Sequence, residues 1–598
     1  MDRRAVAPSL FATPNVMAER RPDGALLLRS REGLADYEPH LARVLRSWAE
    51  RTPDAVLATD PTGAQLTYGH ARRDADALAQ AFLDRGLGPE RPLMILSGNS
   101  VAHLRVMLGA LTAGVPVAPV SVAYSLRESA HHRLRSMAQL VRPGMVFAED
   151  GAAFDAALNV VAETGAQALT GADLEALAST PVTSDVERAL AASGPDSIAK
   201  ILFTSGSTGT PKGVLSTHRM LTANQQMMRQ VWPFLRDEPP VLVDWLPWSH
   251  TFGGSHNVNL ALTNGGAIHV DDGRPAPELF GRTVAALRRT PPTIYVNVPA
   301  GFAALVPTLE ADRELAARFF SRLRVLFYAA AALPRDLWDR LSALAQELAD
   351  HEIALTSSWG STETAPANTS AHFASVCGCI GVPLPGVTLK LAPVGGKLEM
   401  RVAGPNVTPG YFARPDLTAA AFDEEGFYRT GDAAQLVDPA DPNRGVMFAG
   451  RIAEDFKLVT GTWVNVAAVR GELLSAAGGV LSEVVVCGHD RAEVTALGWL
   501  NPVEAARIAG VPEGEPVTGA HPSVRRHLAA VLRSVGADRG SSARVRRLLL
   551  CAEPPRFDAG EITDKGYVNQ RVVLERRAGL VATLYAPTSH PDVIEADV

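Results

Sequence analysis

Cysteine is scarce: the 598 residues contain four, Cys377, Cys379, Cys487 and Cys551. That is too few for a disulfide framework in so long a chain, and a reduced compartment is expected. Cys377 and Cys379 have no second Cys-x-x-Cys or His pair at ligand spacing, which argues against a structural metal. Positive charge is not in excess. Lys and Arg total 57 against 64 Asp and Glu, a net charge of -7, so no global basic field holds a polyanion and nucleic acid is not an expected partner. Long apolar runs are missing too. The longest candidate, Val101 to Val120, is broken by His103 and Arg105, whereas a membrane span needs about 18 uninterrupted apolar residues. The first residues, MDRRAVAPSLFATPNV, carry arginines without the apolar segment of a signal peptide. A cytoplasmic chain with no membrane span is the expectation.

What is present is globular: 46% hydrophobic and 20% charged residues sit near the average for folded domains. Domains typically hold about 100–200 residues, so two or more are expected. Short Val/Ile/Leu runs alternate with longer stretches whose apolar residues lie three and four apart, an α/β pattern with parallel sheet. The spacing predicts helices over Ala71–Leu87, Ser100–Thr112, Arg335–Ala349 and Val524–Val535. It predicts strands at Pro92–Leu96, Val115–Ala118, Thr293–Val298, Arg324–Tyr328, Glu483–Cys487 and Val494–Leu497. Near residue 390 the pattern changes: Leu389–Leu391 and Lys397–Val402 alternate apolar and polar residues between Gly/Pro turns, as in a small antiparallel β unit. A boundary falls at about Gly450 to Asp455, giving residues 1–450 and 451–598 as two domains.

The most informative segment is TSGSTGTPKG, Thr204 to Gly213, which leaves the apolar run Ile201-Leu202-Phe203. Glycines let backbone N–H groups approach a phosphate, while hydroxyls and Lys212 add donors. Polyphosphate binding follows, with Pro-Lys-Gly expected to lead into an apolar helix. A Walker loop needs G-x-x-x-x-G-K-[ST], but here Pro211 precedes Lys212 and Gly213 follows it.

This loop resembles the phosphate loop of adenylate-forming enzymes: acyl-CoA synthetases, luciferases and peptide-synthetase adenylation domains. Further matches occur in that superfamily's order: WGSTE at Trp359–Glu363, GPNVTPGY at Gly404–Tyr411, YRTGD at Tyr428–Asp432, Gly450-Arg451, and the near-terminal Lys565. The texture of DWLPWSHTFGG, FKLVTGTWVNV and GEITDKGYVNQR is similar to bacterial feruloyl-CoA synthetases. The resemblance implies an α/β fold: a large N-terminal domain of two α/β subdomains plus a small β unit, then a smaller, mobile α+β C-terminal domain.

The implied activity is an AMP-forming acid–thiol ligase using ATP, Mg2+ and coenzyme A, first making an acyl-adenylate and then a thioester. For ATP the resemblance marks Thr204, Ser205, Gly206, Ser207, Thr208, Gly209 and Lys212 on the loop. It adds Trp359, Gly360 and Ser361 beside the adenine and phosphates, and Asp432 and Arg451 on the ribose. Thr362 is implied at the α-phosphate, and Glu363 as a ligand of Mg2+, a hard cation suited to oxygen donors. His250 would orient the substrate carboxylate, with Phe252, His256, Tyr328, Ala329 and Ala330 lining the acid pocket. Peptide-synthetase domains place an aspartate where Gly253 stands, so an aromatic acid, hydroxycinnamic in the first instance, fits better than an amino acid. Lys457 and Gly461 would serve the coenzyme A step.

The sequence departs from the superfamily pattern at the hinge, where Ala453 stands in place of Asp or Lys. It departs again around Lys565, where a competing register puts Glu561 at the lysine's position. Lys565 is preferred, since a cation is needed between carboxylate and α-phosphate. A carrier-protein loading enzyme and a non-catalytic nucleotide sensor are the other classes. The arginines Arg525, Arg526, Arg533, Arg544, Arg546 and Arg547 suit an acidic carrier, coenzyme A phosphates or a solvated face equally.

Overall fold

A computed structural model of the chain describes residues 10–127, 131–205, 211–512, 514–536, 540–556, 559–562, 568–587 and 590–596. The strands form two predominantly parallel units, a large antiparallel sheet and a separate C-terminal sheet. In the first unit six strands run in the order 211–217, 198–205, 117–119, 93–95, 145–148 and 167–170. All neighbours are parallel except the first pair. The short strand Val117–Pro119 is fully buried; it starts after Pro116, two residues later than its apolar run suggests, and Pro119 stands at its end.

The second unit joins Val241–Asp244, Ala267–Val270 and Val56–Thr59 in parallel with a short antiparallel edge. Beside it lies the parallel trio Ile294–Asn297, Val325–Tyr328 and Ala354–Ser357. Between consecutive parallel strands the chain returns through helices, as parallel pairing requires. The helix Val101–Thr112 starts at Ser100, whose side chain accepts from His103 N, a capping oxygen satisfying one of the free first-turn amides. Tyr68–Asp84 is a helix that stops before Gly86, at φ +70. It therefore starts three residues earlier than its apolar spacing suggests, because Thr67 caps it.

The antiparallel unit is larger than residues near 390 alone indicate. It has eight strands, and the N-terminal pair Val16–Arg20 and Leu26–Ser30 joins it, Leu26–Arg29 lying against Thr388–Leu391. Its strand Val446–Arg451 runs one residue past Gly450. The C-terminal part has its own four-stranded sheet, Leu481–Cys487, Val494–Leu500, Val545–Leu550 and Val593–Glu595, and its own apolar core drawn from residues 456 to 596. The fold is thus a large N-terminal α/β domain with a smaller α+β C-terminal one. Among the described residues no helix is long and apolar enough to cross a membrane.

Candidate active site

Four motifs that are far apart in sequence meet where the six-stranded sheet abuts the antiparallel one. The strand Ile198–Ser205 turns back as Pro211–Thr217, with Lys212 opposite Thr204. Lys212 therefore lies on a strand, not at the head of a helix. Burial does not alternate along this strand, where Gly213 and Val214 are both buried and so are Ser216 and Thr217, so no period-2 signal marks it in the sequence. The helix begins only at His218, capped by Thr217. Gly213 is required, since a Cβ there would come within 2.8 Å of Ile201. The Thr204 hydroxyl, at the mouth of the loop, is buried without a hydrogen-bond partner among the described residues. Gly206, Ser207, Thr208, Gly209 and Lys565 lie outside those residues. Of Ser205 only the backbone, at the strand's end, is described.

The GPNVTPGY segment clips onto this hairpin through Leu215 N to Gly410 O at 3.1 Å and Phe412 N to Gly213 O at 2.8 Å. That places Tyr411 beside Lys212. Lys212 Nζ donates to Tyr411 Oη at 2.7 Å and lies 4.0 Å from the ring centre. Tyr411 Oη in turn donates to Glu363 Oε1 at 3.0 Å, and Lys212 Nζ stands 3.4 Å from the same oxygen. Burial, then the nearby Glu363 charge, pushes the Tyr411 phenol well above its ordinary pKa, so it remains a donor.

WGSTE follows the strand Ala354–Ser357. A Cβ at Gly360 would meet Pro366 O at 1.7 Å, so only glycine passes there. Thr362–Thr364 form a single 3-10 turn in which Thr362 and Glu363 are buried. Thr408 N donates to Glu363 O at 2.8 Å, and buried Asn406 Nδ2 donates to Thr364 O at 2.8 Å and Asn368 Oδ1 at 2.9 Å. These bonds stitch the turn to the GPNVTPGY loop. Asp432 faces Arg451 across the strands Tyr428–Leu436 and Val446–Arg451. Its Oδ2 accepts from Trp359 Nε1 at 2.9 Å, and Arg451 Nε lies 3.5 Å from Oδ1. Burial raises its pKa above the ordinary value, opposed by Arg451 and the indole N–H.

A second cluster lies around the π-helix Thr251–Asn257, which His250 precedes. Helices of this pitch are rare and favour functional sites. Phe252 and His256 both pack on Phe327, at ring distances of 5.9 Å and 5.2 Å, the latter stacked. His256 Nδ1 pairs with Asn257 Oδ1 at 2.8 Å while Nε2 is buried without a partner among the described residues. Burial pushes this imidazole down to about 4, so it is neutral near pH 7. Tyr328 is not brought into this cluster: strand alternation turns its ring to the opposite face, edge-on to Trp338 at 5.9 Å. Phe327 takes the position, since the register of the strand decides which of the two adjacent aromatics faces His256. Ala329 is half-buried, and Ala330 is exposed with φ +75.

On the C-terminal side Lys457 lies in a short hairpin, its Nζ 5.0 Å above the Trp463 ring, with Gly461 at the turn at φ +81. Glu561 is buried and held by Arg577 at 2.8 and 2.9 Å and by Arg556 N at 2.9 Å. Asp455 accepts from Val466 N at 3.1 Å and pairs with Lys397, tying the segment after Ala453 to the antiparallel sheet.

A family model described as AMP-binding enzyme matches residues 45–412. The chain is 27% identical over 406 residues to a feruloyl-CoA synthase of Amycolatopsis sp, covering 66% of this chain and 76% of that one. It is 28% identical over 491 residues to CymA of Salinispora arenicola, described as a probable non-canonical nonribosomal peptide synthetase, spanning 79% of this chain but 6% of that protein's length. Among solved structures, the anthranilate CoA ligase AuaEII in complex with anthranoyl-AMP superposes with a TM-score of 0.72 at 18% identity, over 91% of this chain and 98% of that one. ATP-bound MatB from Rhodopseudomonas palustris gives 0.69 at 23%, over 90% and 99%. At these identities the structural likeness speaks for the fold.

Proposed function

Since the chain belongs to the AMP-binding enzyme family, we propose that it activates an aromatic carboxylic acid with ATP as the acyl-adenylate and transfers the acyl group to coenzyme A. The observation that carries this reading is the pair of contact chains Lys212–Tyr411–Glu363 and Trp359–Asp432–Arg451, which bring four motifs distant in sequence to one site. Lys212 is assigned to the triphosphate. Thr362 donates toward the α-phosphate, and Asp432 with Arg451 takes the ribose hydroxyls. Trp359, fixed by its bond to Asp432, stands against the adenine.

In the first half-reaction a carboxylate oxygen attacks the α-phosphorus and pyrophosphate leaves. Donors already in place stabilise the charge that develops. Lys565 is assigned the cation between carboxylate and α-phosphate on the strength of the motif order alone. Glu363 suits Mg2+: a buried carboxylate oxygen beside phosphate-binding donors is the kind of single protein ligand that cation takes, the rest coming from phosphate and water. Mg2+, when bound, supplies neutralisation of the triphosphate. In the second half-reaction the coenzyme A thiol attacks the acyl carbonyl and AMP departs, with Lys457 and Gly461 assigned to that step.

For the acid, the packed rings of Phe252, His256 and Phe327 are assigned to one wall of the pocket, and His256 Nε2, buried without a partner among the described residues, is the polar atom that would meet a ring hydroxyl. Position 253 carries no carboxylate for an α-ammonium. Relatives named as nonribosomal peptide synthetases or their hybrids favour a second reading, in which a carrier protein's thiol replaces coenzyme A.

A panel of hydroxycinnamates, benzoates, octanoate and phenylalanine in an ATP- and coenzyme-A-dependent thioester assay tests the substrate class. Hydroxycinnamates are expected to lead by at least about tenfold in kcat/KM, about 1.4 kcal/mol of differential binding. Faster turnover of octanoate or phenylalanine overturns the substrate. Thioester formed only with a phosphopantetheinylated carrier overturns coenzyme A as acceptor.

A further inference from the structure

One buried cation has no role in the chemistry above. Lys200 lies on the strand Ile198–Ser205, four residues before Thr204, and is 0% exposed. Taking an ammonium out of water without a counter-charge is costly, yet among the described residues no carboxylate pairs with it. Burial alone holds its pKa down to about 7. Its Nζ donates to Gly254 O at 2.6 Å.

Gly254 sits inside the π-helix. There the wider turn reaches five residues back, as in the bond from Val258 N to Gly253 O. The next three carbonyls, of Gly254, Ser255 and His256, all receive side-chain donors from other elements. Lys200 takes the first. Gln225 Nε2, on the helix His218–Val231, takes the other two at 3.3 Å each. The turn is also shaped from the opposite side. A Cβ on Gly253 would meet Leu246 O at 2.4 Å, and one on Gly254 would meet Trp248 O at 2.1 Å. The backbone is thus pressed against one neighbour and pulled by two others, and it is this backbone that carries Phe252 and His256.

We propose that Lys200 is a positioning residue for acid selection: through the Gly254 carbonyl, and with Gln225 as its partner, it holds the π-turn in the wide form that sets Phe252 and His256 against Phe327. The inference rests on the reading of that turn as the wall of the acid pocket. A residue kept only for packing has a better candidate in methionine, which has similar length and no charge to desolvate, since apolar replacement of buried charge is often neutral or stabilising. Lys200 therefore trades stability for a fixed pocket wall.

The test is Lys200→Met in the full chain. Thermal unfolding and acid-dependent ATP–pyrophosphate exchange are measured with the best acid of the panel and with a smaller, unsubstituted relative of it. The unfolding temperature is expected to be equal or higher and KM for ATP to stay within about twofold. KM for the preferred acid should rise at least about tenfold, with its advantage over the smaller acid largely lost. Gln225→Leu is expected to show the same signature more weakly. The double variant should fall short of the product of the two single effects, since both act on one turn. Lys200→Gln, which restores a donor one atom short, should recover part of the selectivity.

An acid KM unchanged within twofold overturns the inference. So does a loss in which acid KM, ATP KM and unfolding temperature move together. If the wild type prefers a non-aromatic acid, the aromatic reading fails, and the same comparison on that acid still decides the role of Lys200.

Discussion

Replacing Tyr411 by phenylalanine removes a single oxygen that serves two ionised partners. The ring remains, and with it the 4.0 Å approach of Lys212 to the aromatic face. What is lost is the 2.7 Å acceptor for Lys212 and the 3.0 Å donor to Glu363. Hydrogen bonds to charged groups contribute about 1.5–3 kcal/mol each. The Lys212 side chain is 23% exposed, so water replaces its missing acceptor and that bond counts for little. Glu363 is 8% exposed, and no water takes the hydroxyl's place without rearrangement. The net effect is therefore one bond, about 2 kcal/mol, or about 30-fold at 1.4 kcal/mol per decade. It should appear in kcat/KM for ATP in acid-dependent pyrophosphate exchange and leave KM for the acid unchanged. Tyr428→Phe is the comparison: its hydroxyl lies 3.4 Å from that of Tyr411 and also interacts with Glu363, so a smaller loss, under about tenfold, is expected. Loss under threefold for Tyr411→Phe, or equal loss in both variants, refutes the argument that this hydroxyl orders the phosphate side of the site.

Four other expectations concern the metal, the two C-terminal candidates and the buried histidines. Glu363→Gln keeps the shape but weakens an anionic oxygen ligand, so the Mg2+ concentration for half-maximal activity should rise; an unchanged titration removes Glu363 from the metal. Lys565→Ala should abolish adenylation but spare thioester formation from a pre-made acyl-adenylate. Glu561→Ala instead strands the Arg577 charge of a buried pair, a loss of about 3–5 kcal/mol that should appear as a lowered C-terminal unfolding transition; a selective adenylation defect in Glu561→Ala would reverse the two assignments. Finally, burial holds His40, His103, His256 and His372 near 4. The unfolded chain, with histidines near 6.5, binds more protons between those values, so stability is full above about pH 6.5 and falls as pH drops toward 4, by up to about 3 kcal/mol per histidine. A midpoint in denaturant that does not move between pH 7 and 5 contradicts this.

The residues that chemistry forces into motifs were the most legible. Gly213, Gly360 and Gly410 are approached too closely to leave room for a Cβ, and the fragments around them, TPKG, WGST and TPGY, stand out in the sequence. The parallel strands at 93–95, 294–297 and 325–328 were likewise legible as short buried runs. What stayed hidden depends on partners distant in sequence. The N-terminal strands Val16–Arg20 and Leu26–Ser30 have no local signal for pairing with residue 388 and beyond. Lys212 read as a helix entry because the apolar run after it is too short to separate strand from helix. Phe327 and Tyr328 are adjacent and both aromatic, so only the register of their strand decides which one meets His256. Lys200 looks like an ordinary strand lysine until its carbonyl partner is seen.

The central claim is that a carboxylate oxygen of the substrate attacks the α-phosphorus of ATP. It is tested most directly by supplying the acid with both carboxylate oxygens as oxygen-18 and analysing the products by mass spectrometry. Expected are one labelled oxygen in AMP, unlabelled pyrophosphate, and one labelled oxygen retained in the thioester carbonyl. Label in inorganic phosphate with formation of ADP, or AMP released without label, would contradict it.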